Sequence, residues 1–236
     1  MRRANRRAVL VLVIGFVMVP WPAIATSLNV APTRIDLGPD ARSGSVTLEN
    51  TGEGATTVQV ETFAWRHGNS VAELEPTRGL LAVPAVFSLE RGARQVIRVA
   101  TRAPASAEVE AAYRLVITEV PVAGDQATAG VHFALRLSLP VFITPPGTAP
   151  VPSWQLVRGA GGPALEVRNT GTAHLYVSHL SLRAAAGGEP LALIETPSYV
   201  LAGNTQRWPL PPLRGERDLV VEAATNLGDL LVELPN

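Results

Sequence analysis

The chain has 236 residues, of which 47% are hydrophobic and 17% are charged, with 20 basic and 20 acidic side chains. This composition is too apolar for a disordered chain, and the length is sufficient for two domains of ordinary size. The sequence contains neither cysteine nor lysine, which excludes disulfides, zinc–thiolate sites, iron–sulfur clusters, thiol nucleophiles and Schiff-base lysines.

Residues 1–25 predict a cleavable signal peptide. Four arginines between positions 2 and 7 precede an apolar run from Ala8 to about Val19, and Ala23-Ile24-Ala25 supplies the small residues that signal peptidase recognises. A membrane anchor is the alternative, but two prolines interrupt a run that is shorter than the roughly 20 residues a span requires. Cleavage after Ala25 removes four of the 20 arginines. The mature protein is then mildly acidic, unlike a nucleic-acid binder, and is expected to be secreted into an oxidising compartment.

The first half of the mature chain predicts strands. Short apolar runs, β-branched or alternating with polar residues, are separated by turn residues, and no stretch keeps a helical period for long. Seven such runs in about 120 residues favour an immunoglobulin-like sandwich. The predicted strands are Leu28–Leu37, Ser45–Asn50, Thr57–Trp65, Leu80–Leu89, Gln95–Thr101, Tyr113–Val120 and Val131–Ile143.

A proline-rich connector, residues 144–150, separates this half from a second series of strands. We therefore predict an all-β chain of two immunoglobulin-like sandwiches, over residues 26–145 and 146–236. The strands predicted for the second sandwich are Trp154–Val157, Ala164–Asn169, His174–Arg183, Leu191–Ile194, Tyr199–Leu201, Thr205–Leu210, Asp218–Ala223 and Asp229–Leu234.

The sequence offers no arrangement of side chains typical of an enzyme. No nucleophile elbow is present, the carboxylates are scattered, and the glycine-rich residues 159–162 are typical of a hairpin turn. The two closest histidines, His174 and His179, would lie on opposite faces of a strand. We predict a binding protein with no catalytic residues, metal site or cofactor, and of the four histidines, at positions 67, 132, 174 and 179, we interpret His174 and His179 as solvated surface residues.

Three tryptophans of the mature chain are interpreted as structural. Trp65 ends the third predicted strand and is expected to be the buried tryptophan of the first sandwich. Trp154 and Trp208 are expected to pack in the core of the second sandwich, with a position lining the cleft as the alternative. Tyr113 is also expected in the first core.

The last strand of the first half alternates strictly. Its apolar residues are Val131, Phe133, Leu135, Leu137 and Leu139, with His132, Ala134, Arg136 and Ser138 on the other face. One interpretation is a half-buried strand that covers its own core. The other is an edge strand whose apolar row can be donated to a partner chain, in the manner of β-augmentation. The alternation alone does not distinguish the two.

The whole mature chain resembles the PapD-like periplasmic pilus chaperones, and is most similar to their archaic-type branch. The order and spacing of the matching segments over about 200 residues carry the resemblance. The segments are Asn29-Val30-Ala31-Pro32-Thr33-Arg34, the run from Ser88 to Val99, Tyr113 to Pro121, Leu137-Ser138-Leu139-Pro140-Val141-Phe142, and Val167 to His174.

The resemblance implies that the two immunoglobulin-like sandwiches are set at an angle with a cleft between them, and it implies a function without catalysis. Such chaperones bind pilus subunits that lack their final strand, donate their own strand to complete the fold, and deliver the subunits to an outer-membrane usher. The donated strand would be residues 131–139 here. The implied partners are therefore pilus subunits and an usher, without nucleic acid or a membrane span. A secreted structural immunoglobulin-like module of an adhesin or surface assembly is the alternative function.

The resemblance also implies two sites. In better-known members an arginine and a lysine bind the subunit's C-terminal carboxylate; Arg34 matches the arginine, whereas Pro140 occupies the position of the lysine. Arg136 is the predicted substitute, with Arg98 and Arg114 as weaker alternatives. A charged cluster of glutamate, arginine and aspartate joins the domains in those members. The corresponding residues here are Glu110, Thr144 and Asn226, so other contacts are expected to hold the joint.

Overall fold

The structure is a computed structural model that describes residues 28–38, 40–66, 74–102, 108–120, 134–159, 161–213 and 218–234. These residues form strands joined by turns, with no helix among them. Consequently, this part of the chain offers no helical segment of the length and apolarity needed to cross a membrane. The predicted all-β fold class is confirmed. The predicted signal peptide, residues 1–25, lies outside the described residues.

The first sandwich consists of two facing sheets. One has the strand order β1-β3-β8-β6, and the other has the order β2-β10-β9-β4-β5, with β7 also paired to β4. All pairings are antiparallel except that of β2 with β10, which is parallel. The ten strands are β1 (Leu28–Ala31), β2 (Ile35–Leu37), β3 (Ser43–Asn50), β4 (Thr56–Ala64), β5 (Glu75–Pro76), β6 (Leu80–Val83), β7 (Val86–Leu89), β8 (Arg94–Thr101), β9 (Ala111–Val120) and β10 (Arg136–Ile143).

The second sandwich follows the proline-rich connector. Its two sheets have the strand orders β11-β12-β16 and β14-β13-β17-β18, and β15 pairs with β13 beside β14. The eight strands are β11 (Pro152–Gly159), β12 (Gly162–Asn169), β13 (Leu175–Ala184), β14 (Ala192–Ile194), β15 (Ser198–Val200), β16 (Thr205–Pro209), β17 (Leu219–Thr225) and β18 (Gly228–Leu234).

Two runs that the sequence predicts as single strands are each divided between the two sheets of the first sandwich. Leu28–Leu37 becomes β1, which pairs with β3, and β2, which pairs with β10. Leu80–Leu89 becomes β6 and β7 in the same way. A proline lies at each point of division, Pro32 and Pro84. Proline has no backbone N–H for a sheet ladder, so the chain can leave one sheet there and join the other.

Each sandwich encloses its own apolar core. Ile97, Leu115 and Val141 are among the fully buried residues of the first, and Tyr113 lies there as predicted. In the second core, the Trp154 and Trp208 rings stack with centroids 6.0 Å apart, which confirms the prediction for both. Burial of such side chains is the main contribution to stability in a chain without disulfides.

Candidate functional site

Strand β10 has one open edge. On one side β9 covers its whole length, from Arg136 opposite Thr118 to Ile143 opposite Ala111. On the other side β2 covers only Val141–Ile143. Among the described strands none pairs with the remaining edge at residues 136–140. Because an uncovered edge exposes unpaired backbone groups, it is a ready template for a strand from another chain.

The hydrogen-bonding pattern shows which backbone groups face this open edge. The amide of Glu119 donates to the carbonyl of Leu135 at 2.9 Å. Residues of an antiparallel pair alternate between bonded and non-bonded positions, so the odd-numbered residues of β10 bond to β9. The N–H and C=O groups of Arg136 and Ser138 therefore point toward the open edge. Pro140 contributes only a carbonyl there.

The alternating apolar residues of this strand fall into two groups, those that contact the first core and those that precede it. Leu139, 5% exposed, lies in the core of the first sandwich, and Leu137 packs against that core. Both residues therefore contribute to their own sandwich in the free chain, and their donor role stays a prediction. Leu135 is half-buried, and Val131 and Phe133 lie outside the described residues. The donor role stays a prediction for these three residues that precede the core-facing part.

An aromatic cluster lies where the two sandwiches meet. Trp65 and Phe142 of the first sandwich pack with Leu201 of the second, and Tyr199 covers them with ring centroids 5.7 and 5.4 Å away. The predicted burial of Trp65 is confirmed, since it is only 2% exposed, but it packs in this cluster and not in the core of the first sandwich. Its amide donates to the carbonyl of Ala112, so it shares the outer face of the sheet with Ala112, and the second sandwich buries it.

Arg34 lies beside this cluster, immediately before β2. Its Nε donates to Oδ2 of Asp36 at 2.8 Å, and both side chains are partly exposed. Desolvation opposes its charge, but the hydrogen bonds and charges of Asp36 and Tyr199 outweigh that cost and raise the pKa of Arg34. A guanidinium has five N–H donors, so these two partners leave donors for a further acceptor.

Arg114 is the second guanidinium of the cluster. It projects from β9 directly opposite Pro140, with its guanidinium carbon 3.6 Å from the Trp65 ring centroid and 6.0 Å from that of Tyr199. Burial lowers its pKa to about 10, against the opposing effect of Tyr199. Desolvation of this kind strengthens the attraction of a cation for a carboxylate. Arg34 and Arg114 thus both approach Tyr199.

Arg136 and Arg98 occupy different places. Arg136 is exposed at the start of β10, four residues before Pro140 and hence about 13 Å along the strand from the level of Arg114. Arg98 is exposed on the opposite sheet, opposite Ser45 and Val83. Of the basic residues considered from the sequence, the structure therefore brings Arg34 together with Arg114. The role predicted for Arg136 stays a prediction.

A buried hydrogen-bonded cluster joins the two sandwiches. Oε1 of Glu110 lies 2.7 Å from Nδ1 of His174 and accepts from the backbone N–H of His174, and Oε2 accepts from the Thr144 hydroxyl. The amide of Asn226 donates to the His174 carbonyl. The His174 ring stacks on Phe142 with centroids 3.7 Å apart. The interpretation of His174 as a solvated residue is wrong, whereas His179 is exposed as expected.

A cavity of about 460 Å³ lies beside this joint, lined by Trp65, Tyr113, Glu110 and the loop of residues 201–204. Nδ2 of Asn204 donates to the Arg66 carbonyl next to it. The buried carboxylate in the cavity lining, that of Glu110, is already in contact with His174 and Thr144. Among the described residues, no group of three histidine or acidic side chains could hold a metal ion.

Residues 27–149, more than half of the chain, match the family model of pili and flagellar-assembly chaperones, PapD N-terminal domain. No curated protein matches the chain by sequence.

Several solved structures of chaperones share the fold. A chain of the CsuC–CsuE chaperone–tip subunit pre-assembly complex, from the archaic chaperone–usher Csu pili of Acinetobacter baumannii, matches with a TM-score of 0.66 and 19% identity over 88% of this chain and 98% of that one. The E. coli chaperone DraB matches with a TM-score of 0.60 and 18% identity, covering 89% and 97%. A chain of the Salmonella enterica SafA pilin–SafB chaperone complex has a TM-score of 0.64 and 16% identity, covering 90% and 99%.

Proposed function

Since the chain belongs to the PapD family of pili and flagellar-assembly chaperones, we propose that it captures pilus subunits between its two sandwiches by donating a strand. The donated segment comprises the start of β10 and the residues before it, within 131–138. The observation that best supports this function is the open edge at residues 136–140, which ends beside Arg34 and Arg114.

The open edge and the apolar row act together. A subunit strand that pairs with the edge gains backbone hydrogen bonds from Arg136 and Ser138, and these give the contact its direction. The apolar side chains that precede the core-facing residues, Val131, Phe133 and Leu135, then fill the gap in the subunit's own sandwich. Each fully buried side chain of this size contributes about 1.5–3 kcal/mol before the entropic cost of association.

Arg34 and Arg114 form the end of the binding site at which the open edge of β10 stops. Arg34 retains N–H donors beyond those that bond Asp36 and Tyr199, and Arg114 is held by the Trp65 ring in a partly desolvated position. A C-terminal carboxylate meeting two guanidinium groups forms charge-assisted hydrogen bonds, which are stronger than neutral ones. Arg114 thus takes the part that a lysine has in better-known members of the family. Arg136 would contact the body of the bound strand instead.

The cellular context follows from the family. After cleavage of residues 1–25, the chaperone acts in the periplasm, where it keeps the unfinished edge of a subunit from pairing with other chains. It then delivers the subunit to an outer-membrane usher, where the strand of an incoming subunit replaces its own. No nucleotide is required, because folding energy withheld from the subunit drives the exchange.

Co-expression in the periplasm with the pilus subunits encoded in the same genome tests this function. We expect a soluble one-to-one complex with at least one of them. Leu135→Glu places a charge in the apolar row and is expected to abolish the complex while the free protein stays folded. Leu193→Glu is the matched control, because Leu193 is exposed on β14, away from the cleft. Equal recovery of the complex with both variants would exclude strand donation by this segment.

A further inference from the structure

Two features close the open edge of β10 at the same point. The first is Pro140, which has no N–H to offer at an even-numbered position, where the backbone faces the edge. The second is β2, which begins at Ile35 opposite Val141 and occupies the edge from there on. Within the described part of the strand, Arg136 and Ser138 are the residues whose N–H groups remain available to an added strand.

The two arginines lie at this same level. Arg114 is directly opposite Pro140 in the register of β9 and β10, and its Nη1 lies 3.4 Å from the carbonyl oxygen of Ser138. Arg34 immediately precedes Ile35, the first residue of β2. The end of the available edge and the cationic end of the cleft therefore coincide.

We propose that Pro140 sets the register of the bound subunit by ending its pairing at Ser138, so that the subunit's terminal carboxylate stops beside Arg34 and Arg114. This inference rests on the proposed function and adds the residue that determines alignment. Pro140 is a positioning residue here, because it lacks the N–H that would otherwise hydrogen-bond to a further residue of the bound strand.

Side-chain alternation alone does not fix the register between β10 and a bound strand. A slip by one residue turns every side chain to the wrong face and is strongly opposed. A slip by two residues restores the same faces, so the apolar row does not oppose it. An advance of two residues brings the bound strand opposite Pro140, where β10 offers no N–H, and β2 begins one residue further on.

The register can be read by disulfide trapping, because the chain contains no cysteine of its own. The reporter is Ala134→Cys, an exposed position on the same face and edge as Arg136. The probe is the subunit that forms a complex with this chaperone, carrying a single cysteine at successive positions of its last strand. In the otherwise native chaperone we expect one dominant cross-linked position.

Pro140→Ala adds an edge donor and is expected to give a second cross-linked position two residues from the first. Ser138→Pro removes the last donor, and is expected to displace the cross-link by two residues in the opposite direction or to abolish capture. This second variant decides the matter if Pro140→Ala does not fold. An unchanged single position in the folded variants would overturn the role of Pro140 while leaving strand donation intact. Failure of the native chaperone to form any complex would instead refute the proposed function, and this inference with it.

Discussion

Nδ1 of His174 lies 2.7 Å from Oε1 of Glu110, and this contact joins the second sandwich to the first. Glu110 immediately precedes β9, the neighbour of the open-edged strand, and its side chain is only 2% exposed. The same carboxylate accepts from Thr144 at the start of the connector. The position of the second sandwich, and of the Tyr199 it contributes to the cleft, therefore depends on this buried cluster together with the aromatic contacts of Trp65 and Phe142.

His174→Ala is expected to destabilise the protein by about 1–3 kcal/mol, because it removes one hydrogen-bond partner of a buried carboxylate, which keeps the backbone N–H of residue 174 and the Thr144 hydroxyl. It also removes the ring that stacks on Phe142. Chemical denaturation measures the change in the free energy of unfolding. His179→Ala, at an exposed histidine on β13, is the control and should shift stability by no more than about 0.5 kcal/mol. Equal effects of the two substitutions would mean that the cluster does not hold the joint.

Arg34→Ala and Arg114→Ala are each expected to weaken capture of a subunit by about 10- to 150-fold. This range corresponds to the loss of charge-assisted hydrogen bonds worth about 1.5–3 kcal/mol. Affinity is measured by titration of the purified chaperone against its purified subunit. Arg136→Ala serves as the comparison and should have a smaller effect. A larger loss of affinity for Arg136→Ala than for Arg114→Ala would mean that Arg136 is the second residue that binds the subunit's carboxylate.

Tyr199→Phe tests the contact between the second sandwich and Arg34. The substitution keeps the aromatic packing with Trp65 and Phe142 but removes the hydroxyl that interacts with Arg34. We expect affinity for a subunit to fall about two- to tenfold, the value of one hydrogen bond, with little change in stability. The same binding titration and a thermal melt measure the two quantities. An unfolded or fully inactive variant would show that the hydroxyl has a structural role that the described contacts do not reveal.

Leu139→Ala and Leu135→Ala separate folding from binding along one strand. Leu139 is buried in the first core, so its truncation should cost about 2–5 kcal/mol of folding stability. Leu135 is half-buried and lies outside that core, so its truncation should cost much less stability and instead weaken the complex. Denaturation curves of the free variants, together with their yield of complex, provide the comparison. A larger loss of stability for Leu135→Ala than for Leu139→Ala would mean that the core of the first sandwich extends to Leu135.

The alternation of apolar residues was sufficient to predict the all-β fold and the two sandwiches. The sequence also carries a signal for the position of Trp65. Val58 and Val60 face the core, so strict alternation along β4 places residue 65 on the opposite face. The run Tyr113-Arg114-Leu115 likewise assigns Arg114 to the outer face once Tyr113 is in the core.

The joint could not be derived in this way. His174 and Glu110 are 64 residues apart and belong to different sandwiches, and no local pattern reports the packing of one sandwich against another. The meeting of Arg34, Arg114 and Tyr199 has the same origin, because each comes from a different strand or its flank. The two places where the chain passes from one sheet to the other could not be predicted for another reason. The apolar runs continue through Pro32 and Pro84, and only these prolines mark the change of sheet.

Amide hydrogen exchange of β10, in the free chaperone and in its subunit complex, tests strand donation most directly. In the free protein we expect the amides of Arg136 and Ser138 to exchange fast and those of Leu137 and Leu139, bonded to β9, to exchange slowly. On binding, Arg136 and Ser138 should become protected while the other two stay as they were. Unchanged exchange of Arg136 and Ser138 in a stable complex would contradict the account, because the subunit would then be held somewhere other than the open edge.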